Sequence, residues 1–163
     1  MAEPIQTPIG TITAEHFRPG RVRHQVIVGP KFLYALFDPQ DEMHPVSRAF
    51  MSFIRDGDLP YRHLIVNEHI VDEAATRLKK RASVQMASTF LTTLDESRLY
   101  RFEYVSREVF EEAVNRFTEW TDLNASLTDF VVAQQMADRE IDYIVTYDRH
   151  YDCFDVTTLP YRD

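Results

Sequence analysis

This 163-residue chain has few cysteines and glycines and lacks several catalytic motifs, which excludes a number of common chemistries. Its single cysteine, Cys153, cannot form an intramolecular disulfide or a cysteine-based zinc or iron–sulfur site. Its four glycines are too few and too scattered to form a GxGxxG motif or a Walker-type phosphate loop. The sequence also contains no GxSxG and no HExxH motif. Any bound metal must therefore be held by oxygen and histidine ligands.

Long apolar runs and an excess of basic charge are also missing. No stretch approaches the roughly 18 consecutive apolar residues that a membrane span needs, and Glu3 and Glu15 lie where a secretory peptide would be apolar. We therefore expect a soluble, cytoplasmic protein without a membrane partner. The 26 acids outnumber the 18 bases, which gives a formal net charge of −8. Any contact with a nucleic acid must use a local basic patch.

Short apolar runs alternate with amphipathic stretches along most of the chain, which is typical of βα units around a parallel sheet. The pattern predicts strands at 25–28, 63–66, 101–105 and 143–147, with a short edge strand at 155–159. It predicts helices at 31–37, 45–55, 68–81, 84–94, 106–120 and 126–139, the last two capped by serines. We expect an α/β fold with a small parallel sheet of four to five strands flanked by helices. Residues 1–23, rich in proline and glycine, are predicted to be an irregular N-terminal extension to a domain at 24–163.

Two carboxylates follow signals that place them at the carboxyl edge of such a sheet, where α/β proteins bind ligands. Asp148 comes directly after the strand YIVTY, and Asp129 lies three residues after the N-cap Ser126. Each one alone has an ordinary structural explanation as a turn or capping acid. The helix 68–81 offers a third acid, but spacing does not select among Glu68, Asp72 and Glu73. Such acids suit hard cations, Mg²⁺ or Mn²⁺.

Four ordered segments of the chain resemble PIN domains, and in particular VapC-type toxins and their stand-alone relatives. These segments are FLYALFDPQDEMHP (32–45), VNEHIVDEAATRL (66–78), ASLTDFVVAQQMA (125–137) and DYIVTYDRHY (142–151). The resemblance covers about residues 25–160, and its last segment is the most specific. It implies a small parallel sheet flanked by helices and an endoribonuclease that depends on Mg²⁺ or Mn²⁺.

The resemblance also implies a set of site residues. It carries Glu73, Asp129 and Asp148 onto the catalytic acids of the family's metal cluster, and so selects Glu73 over its neighbours on the helix. It makes Thr146 a polar supporting residue in the TYD turn. In the implied mechanism Asp129 and Asp148 hold the metal, while Glu73 orients or deprotonates a water molecule.

The first position of the family's acidic set departs from the pattern. Where the family has Asp followed by Thr or Ser and a polar residue, this chain reads Gly29-Pro30-Lys31. Gly29 offers no ligand atom, and Lys31, if it points inward, opposes a cation. Two hypotheses follow: a metal-dependent ribonuclease with a weakened site, or a catalytically degenerate PIN domain that binds RNA or a protein partner.

Basic residues near these acids are candidates for RNA contact. They are Arg77, Lys79 and Lys80 on the third predicted helix, and Arg149 in the turn beside Asp148. Cations near a helix C-terminus also stabilise the helix dipole, which is the more common reason for such a cluster. Arg149 and its neighbour His150 flank Asp148 and are candidates for substrate contact, although an ordinary exposed turn is the more common explanation for such residues. The resemblance further implies a homodimer and a small antitoxin partner whose tail covers the acidic site.

Overall fold

The computed structural model of the chain describes residues 3–121 and 124–162. Near the amino end, β1 (Ile5–Thr7) and β2 (Gly10–Ile12) form an antiparallel hairpin, followed by a 3-10 helix over Ala14–Phe17. This differs from the irregular extension predicted for residues 1–23, of which residues 1–2 lie outside the described part. Phe17 is fully buried, and its ring lies 4.8 Å from that of Phe50. These two strands lie among Pro4, Pro8 and Gly10 and are mostly polar or exposed, so the sequence pattern indicated a loop there.

In the described part of the chain, five strands form the central sheet. They are β3 (Gln25–Val28), β4 (His63–Val66), β5 (Tyr100–Phe102), β6 (Tyr143–Val145) and β7 (Thr157–Leu159). Their order is β5-β4-β3-β6-β7, and every neighbouring pair is parallel. The inner strands β3 and β4 are almost continuously apolar and buried, as expected of parallel strands covered on both faces. The predicted α/β fold with a small parallel sheet is confirmed.

Six α-helices flank this sheet within the described residues. They are α1 (Pro30–Phe37), α2 (His44–Arg55), α3 (Glu68–Arg81), α4 (Val84–Glu96), α5 (Arg107–Glu119) and α6 (Leu127–Arg139). Each predicted helix agrees with the structure to within two residues at either end. None of the helices in the described chain combines the length and the apolar character needed to cross a membrane.

Two strands end earlier than the sequence pattern predicts. The predicted strand 101–105 corresponds to β5, which ends at Phe102, and the predicted strand 143–147 corresponds to β6, which ends at Val145. For β5 the reason is its partner strand: β4 ends at Val66, whose carbonyl accepts a hydrogen bond from the Glu103 N–H at 2.9 Å. A run of strand-forming residues shows where a strand can continue, but not where its partner stops.

The strand order creates a switch point between β3 and β6. From β3 the chain continues to β4 on one side, whereas from β6 it continues to β7 on the other. In such sheets a crevice opens beyond the carboxyl ends of the two strands where the direction reverses. Val28 lies opposite Val145, and the Gly29 N–H donates to the Val145 carbonyl at 2.9 Å. The start of α1 is thereby held beside the turn that follows β6.

Candidate metal centre

A pocket of about 210 Å³ opens at this switch point. It is lined by Pro30, Lys31, Glu73, Ser126, Asp129, Thr146, Asp148, His150 and Tyr151. The fold thus brings together Glu73, Asp129 and Asp148 from three separate elements. Their rivals on α3 lie elsewhere: Glu68 accepts a hydrogen bond from the Val105 N–H at 2.9 Å, and Asp72 is not among the residues that line the pocket.

Asp129 is fixed by the first turn of α6. Its N–H donates to Ser126 Oγ at 3.2 Å, and its Oδ2 accepts from the Ser126 N–H at 2.9 Å. This reciprocal pair is a capping box, and it confirms the predicted N-cap. Although Asp129 is only 6% exposed, the helix N-terminus favours its negative charge. Its carboxylate is therefore both structural and available to the pocket.

Asp148 is presented by the turn after β6. Its N–H donates to Thr146 Oγ1 at 3.0 Å, and its Oδ1 accepts from the His150 N–H at 3.0 Å. Thr146 is buried, and its own N–H donates to the Leu159 carbonyl at 3.0 Å, which ties the turn to β7. Thr146 therefore supports the backbone at Asp148 rather than pointing into open space.

Glu73 reaches the same pocket from α3. Partial loss of surrounding water, followed by the negative charges of Asp129 and Asp148, raises the pKa of the Glu73 carboxyl, although the residue as a whole is exposed. Arg77 and Lys31 oppose this rise. The carboxylates therefore repel one another, and a cation placed among them would relieve the repulsion.

The family resemblance predicts a further acid at position 29, but the structure has Thr146 and Lys31 on that side of the pocket. A Cβ on Gly29 would lie 3.1 Å from Thr146 Oγ1 and 3.2 Å from Thr146 Cβ, so the space for a side chain is already taken. Lys31 does point inward: its Nζ lies 3.7 Å from Asp148 Oδ2. This side of the pocket therefore has no carboxylate at Gly29 and carries the positive charge of Lys31.

Two residues of the turn after β6 belong to the pocket, although the sequence did not assign them to the site. His150 Nδ1 lies 3.0 Å from Asp148 Oδ1 and 3.4 Å from Asp129 Oδ2. Tyr151 is 1% exposed, and its hydroxyl makes no well-formed hydrogen bond within the described chain. Burial, followed by the charges of Asp129 and Asp148, raises the pKa of Tyr151 well above its usual value, so it stays protonated. Their spacing from Asp148, two and three residues, was the available signal.

The donor set of this pocket fits a divalent cation. One ligand atom each from Asp129, Asp148 and His150 lies within 4.8 Å of the others, and the Glu73 carboxylate lines the same pocket. Carboxylate oxygens suit Mg²⁺ and Mn²⁺, and an imidazole nitrogen is accepted by transition-metal ions. The buried Tyr151 hydroxyl lies near the Asp129 carboxylate without a well-formed hydrogen bond, which is consistent with a pocket that receives a polar ligand.

The basic residues predicted to contact RNA are only partly gathered near the pocket. Arg77 lies close enough to Glu73 to influence its pKa, and its guanidinium carbon is 5.6 Å from the ring centre of Tyr34. Arg149 is exposed and lines an adjacent groove of about 570 Å³, together with Asp148 and Arg162. Lys79 and Lys80 are exposed and lie about 9–10 Å further along α3 than Glu73.

Comparison with known structures identifies a protein with the same fold. The chain is similar to the VapC20 toxin of Mycobacterium tuberculosis, whose crystal structure is described as that of a toxin cleaving the sarcin-ricin loop. The TM-score is 0.68 at 19% sequence identity, and the match covers 80% of this chain and 98% of the toxin chain. No protein-family model and no curated protein sequence matches the chain. The PIN-like fold that the sequence resemblance implied is thus confirmed.

Proposed function

We propose that this chain is a VapC-like endoribonuclease that hydrolyses RNA phosphodiester bonds with a bound Mg²⁺ or Mn²⁺ ion. The observation that carries the proposal is the meeting of Glu73, Asp129 and Asp148 in one pocket at the switch point of a PIN-like fold. The similar toxin is described as cleaving the sarcin-ricin loop, which supports RNA as the substrate class.

The chain's own residues would prepare the site before the substrate arrives. A divalent cation would stabilise negative charge developing on the phosphate and make a nearby water molecule more acidic. Asp129, held by its capping box, and Asp148, held through Thr146, present carboxylates that need little reorganisation to hold it. Glu73 comes from a different element, and its raised pKa suits a group that orients the attacking water or accepts its proton.

Arg149 and Arg77 are the basic residues best placed to contact the RNA backbone. Arg149 lines the groove that continues from Asp148, so a strand whose phosphate lies at the pocket could extend along it. Arg77 lies on the Glu73 side. Lys79 and Lys80 are further away and would contact only a longer RNA.

A cleavage assay with a short single-stranded RNA tests this proposal. The purified protein should cut the RNA with Mn²⁺ or Mg²⁺ and stop when a chelator is added, and Asp148→Asn should lower the rate at least about 100-fold. Asp72→Asn is the matched control, because it makes the same change on an exposed part of α3. Metal-dependent cleavage that persists in Asp148→Asn, or no cleavage by the unmodified protein, would contradict the proposal.

A degenerate PIN domain that binds RNA without cutting it is the second candidate function. It is favoured by the missing carboxylate at Gly29 and by the contact of Lys31 with Asp148. In that case the protein would shift a labelled RNA in an electrophoretic assay, with or without a chelator, and the RNA would stay intact.

The family resemblance also suggests a homodimer and an antitoxin partner. An antitoxin segment that covers the acidic pocket would carry basic side chains, because three carboxylates line that pocket. Sedimentation equilibrium of the purified chain tests the dimer, and it does so independently of the cleavage assay.

A further inference from the structure

His150 lies closer to the two best-fixed carboxylates than a turn residue with no role in the site would need to be. Its Nδ1 lies 3.0 Å from Asp148 Oδ1 and 3.4 Å from Asp129 Oδ2. Three atoms that carry lone pairs repel one another at such distances unless a positive centre lies between them. Either a proton on Nδ1 or a metal ion must therefore hold this cluster together.

The spacing of these three atoms matches that of ligands on one small divalent ion. Two ligands about 2.1 Å from an ion lie about 3.0 Å apart at octahedral angles and about 3.4 Å apart at tetrahedral angles. The two distances from His150 Nδ1 lie within the range that these angles span, and all three atoms lie within 4.8 Å of one another. The cluster thus needs little rearrangement to become a coordination sphere.

The position of Lys31 indicates which oxygen of Asp148 a cation would use. Lys31 Nζ lies 3.7 Å from Asp148 Oδ2, whereas His150 Nδ1 lies beside Oδ1. A divalent ion on the Lys31 side would meet a positive charge and no ligand at Gly29. On the His150 side it would meet an additional ligand instead.

Tyr151 provides a second observation that points to a ligand. Its side chain is almost completely buried, it lines the same pocket, and its hydroxyl has no well-formed hydrogen bond within the described residues. The hydroxyl lies near the Asp129 carboxylate, and a polar species in the pocket would complete its hydrogen bonding. Tyr151 follows His150 directly in the sequence, so one turn supplies both the buried hydroxyl and the imidazole of the pocket.

We propose that His150 Nδ1 is the third protein ligand of the divalent cation, in place of the carboxylate missing at Gly29, and that the site consequently prefers a transition-metal ion to Mg²⁺. The inference rests on the proposed function, because it concerns the metal of the same site. It goes further by naming a nitrogen ligand and the metal class that such a ligand favours.

Electron paramagnetic resonance of bound Mn²⁺ tests this proposal without measuring activity. Pulsed spectra of Mn²⁺ on the unmodified protein should show the coupling of a directly bonded nitrogen, and labelling the histidines with ¹⁵N should change that coupling. The signal should disappear in His150→Gln and remain in His24→Gln, where the exchanged histidine contacts the Pro60 carbonyl near the amino end of β3. By calorimetry, His150→Gln should weaken Mn²⁺ binding about tenfold or more and Mg²⁺ binding less.

The possible results separate the two proposals. Bound Mn²⁺ without nitrogen coupling in the unmodified, labelled protein would overturn the role of His150 and leave the carboxylate-based nuclease proposal intact. Failure of the unmodified protein to bind Mn²⁺ would overturn both. The measurement on the labelled, unmodified protein does not depend on the folding of any variant.

Discussion

Placing a carboxylate side chain at position 29 is expected to destabilise the protein, because Thr146 already fills the space beside Gly29. A Cβ there would lie 3.1 Å from Thr146 Oγ1 and 3.2 Å from Thr146 Cβ, which is closer than the roughly 3.5–4.0 Å of favourable carbon contacts. Thr146 is 3% exposed and is bonded through its N–H to Leu159, so it has little room to move. Overpacking of this kind typically costs about 1–3 kcal/mol.

The backbone of Gly29 would not cause this loss. Its φ is −81° and its ψ is 168°, a conformation open to any residue. Exchanging glycine for alanine at such a position normally stabilises a protein by about 0.4–1 kcal/mol, because the unfolded chain loses freedom. A decrease in the free energy of unfolding in Gly29→Ala would therefore report the contact with Thr146.

The same contact affects the metal site. Thr146 Oγ1 accepts the hydrogen bond of the Asp148 N–H at 3.0 Å, so moving Thr146 would also move the turn that presents Asp148. Gly29→Asp would then add one ligand while disturbing another. We expect it to tighten Mn²⁺ binding by less than about tenfold, which is less than an added carboxylate in an unstrained site would give.

Thermal unfolding in the presence of a chelator measures the steric cost of a side chain at position 29 separately from its effect on metal binding. Gly29→Ala should lower the free energy of unfolding by about 1 kcal/mol, which is the overpacking cost less the backbone gain, and the Tm by about 2–4 °C for a chain of this size. In a Thr146→Gly background the same exchange should instead stabilise the protein by about 0.4–1 kcal/mol, so the two changes should be coupled. If Gly29→Ala is as stable as the unmodified protein, or costs as much without Thr146 as with it, the reasoning is refuted.

Two further predictions concern the charges in the pocket. Lys31→Met should tighten Mn²⁺ binding about tenfold in calorimetry, because it removes a positive charge 3.7 Å from Asp148 Oδ2; Lys79→Met, on the exposed part of α3, should leave binding unchanged. Glu73→Gln should be more stable than the unmodified protein at pH 7 without metal, and equally stable below about pH 4. The pKa of Glu73 is higher in the folded than in the unfolded protein, so the charged carboxylate disfavours folding. The unmodified protein therefore loses stability relative to Glu73→Gln as the pH rises from below the unfolded-state pKa to above the folded-state pKa. Denaturant unfolding across this pH range checks the second prediction, which a constant difference between the two proteins would contradict.

Much of the fold could be predicted because its signals are local. The strand over 63–66 and the helix over 68–81 agree with the structure at both ends, since a buried apolar run and a helical period mark them. Asp129 and Asp148 were also located by local signals, one by the serine cap before it and the other by the end of a buried strand. The hairpin near the amino end could not be predicted, because its short, mostly exposed strands lie among prolines and a glycine that indicate a loop.

The composition of the pocket depends on contacts between distant residues, which no local pattern records. Spacing could not choose Glu73 over Glu68; the structure separates them, because Glu68 is occupied by the Val105 N–H. The meeting of α1, α6 and the turn after β6 turns Lys31 toward Asp148 and buries Tyr151 without a well-formed hydrogen bond. The role of His150 needed the distances themselves, since its spacing from Asp148 is shared by many ordinary turns.

Gly29, which offers no carboxylate, and Lys31, which adds a positive charge, affect the charge balance of the pocket as well as its ligands. With the imidazole neutral, its three carboxylates and one ammonium give the pocket a formal charge of −2, which one divalent ion neutralises. A fourth carboxylate without the lysine would give −4, enough for two such ions. We therefore expect a single Mn²⁺ per chain in calorimetry, and two per chain only when Lys31→Met and a carboxylate at position 29 are combined. Two ions on the unmodified protein would show that ligand geometry, rather than this charge balance, determines how many ions the pocket holds.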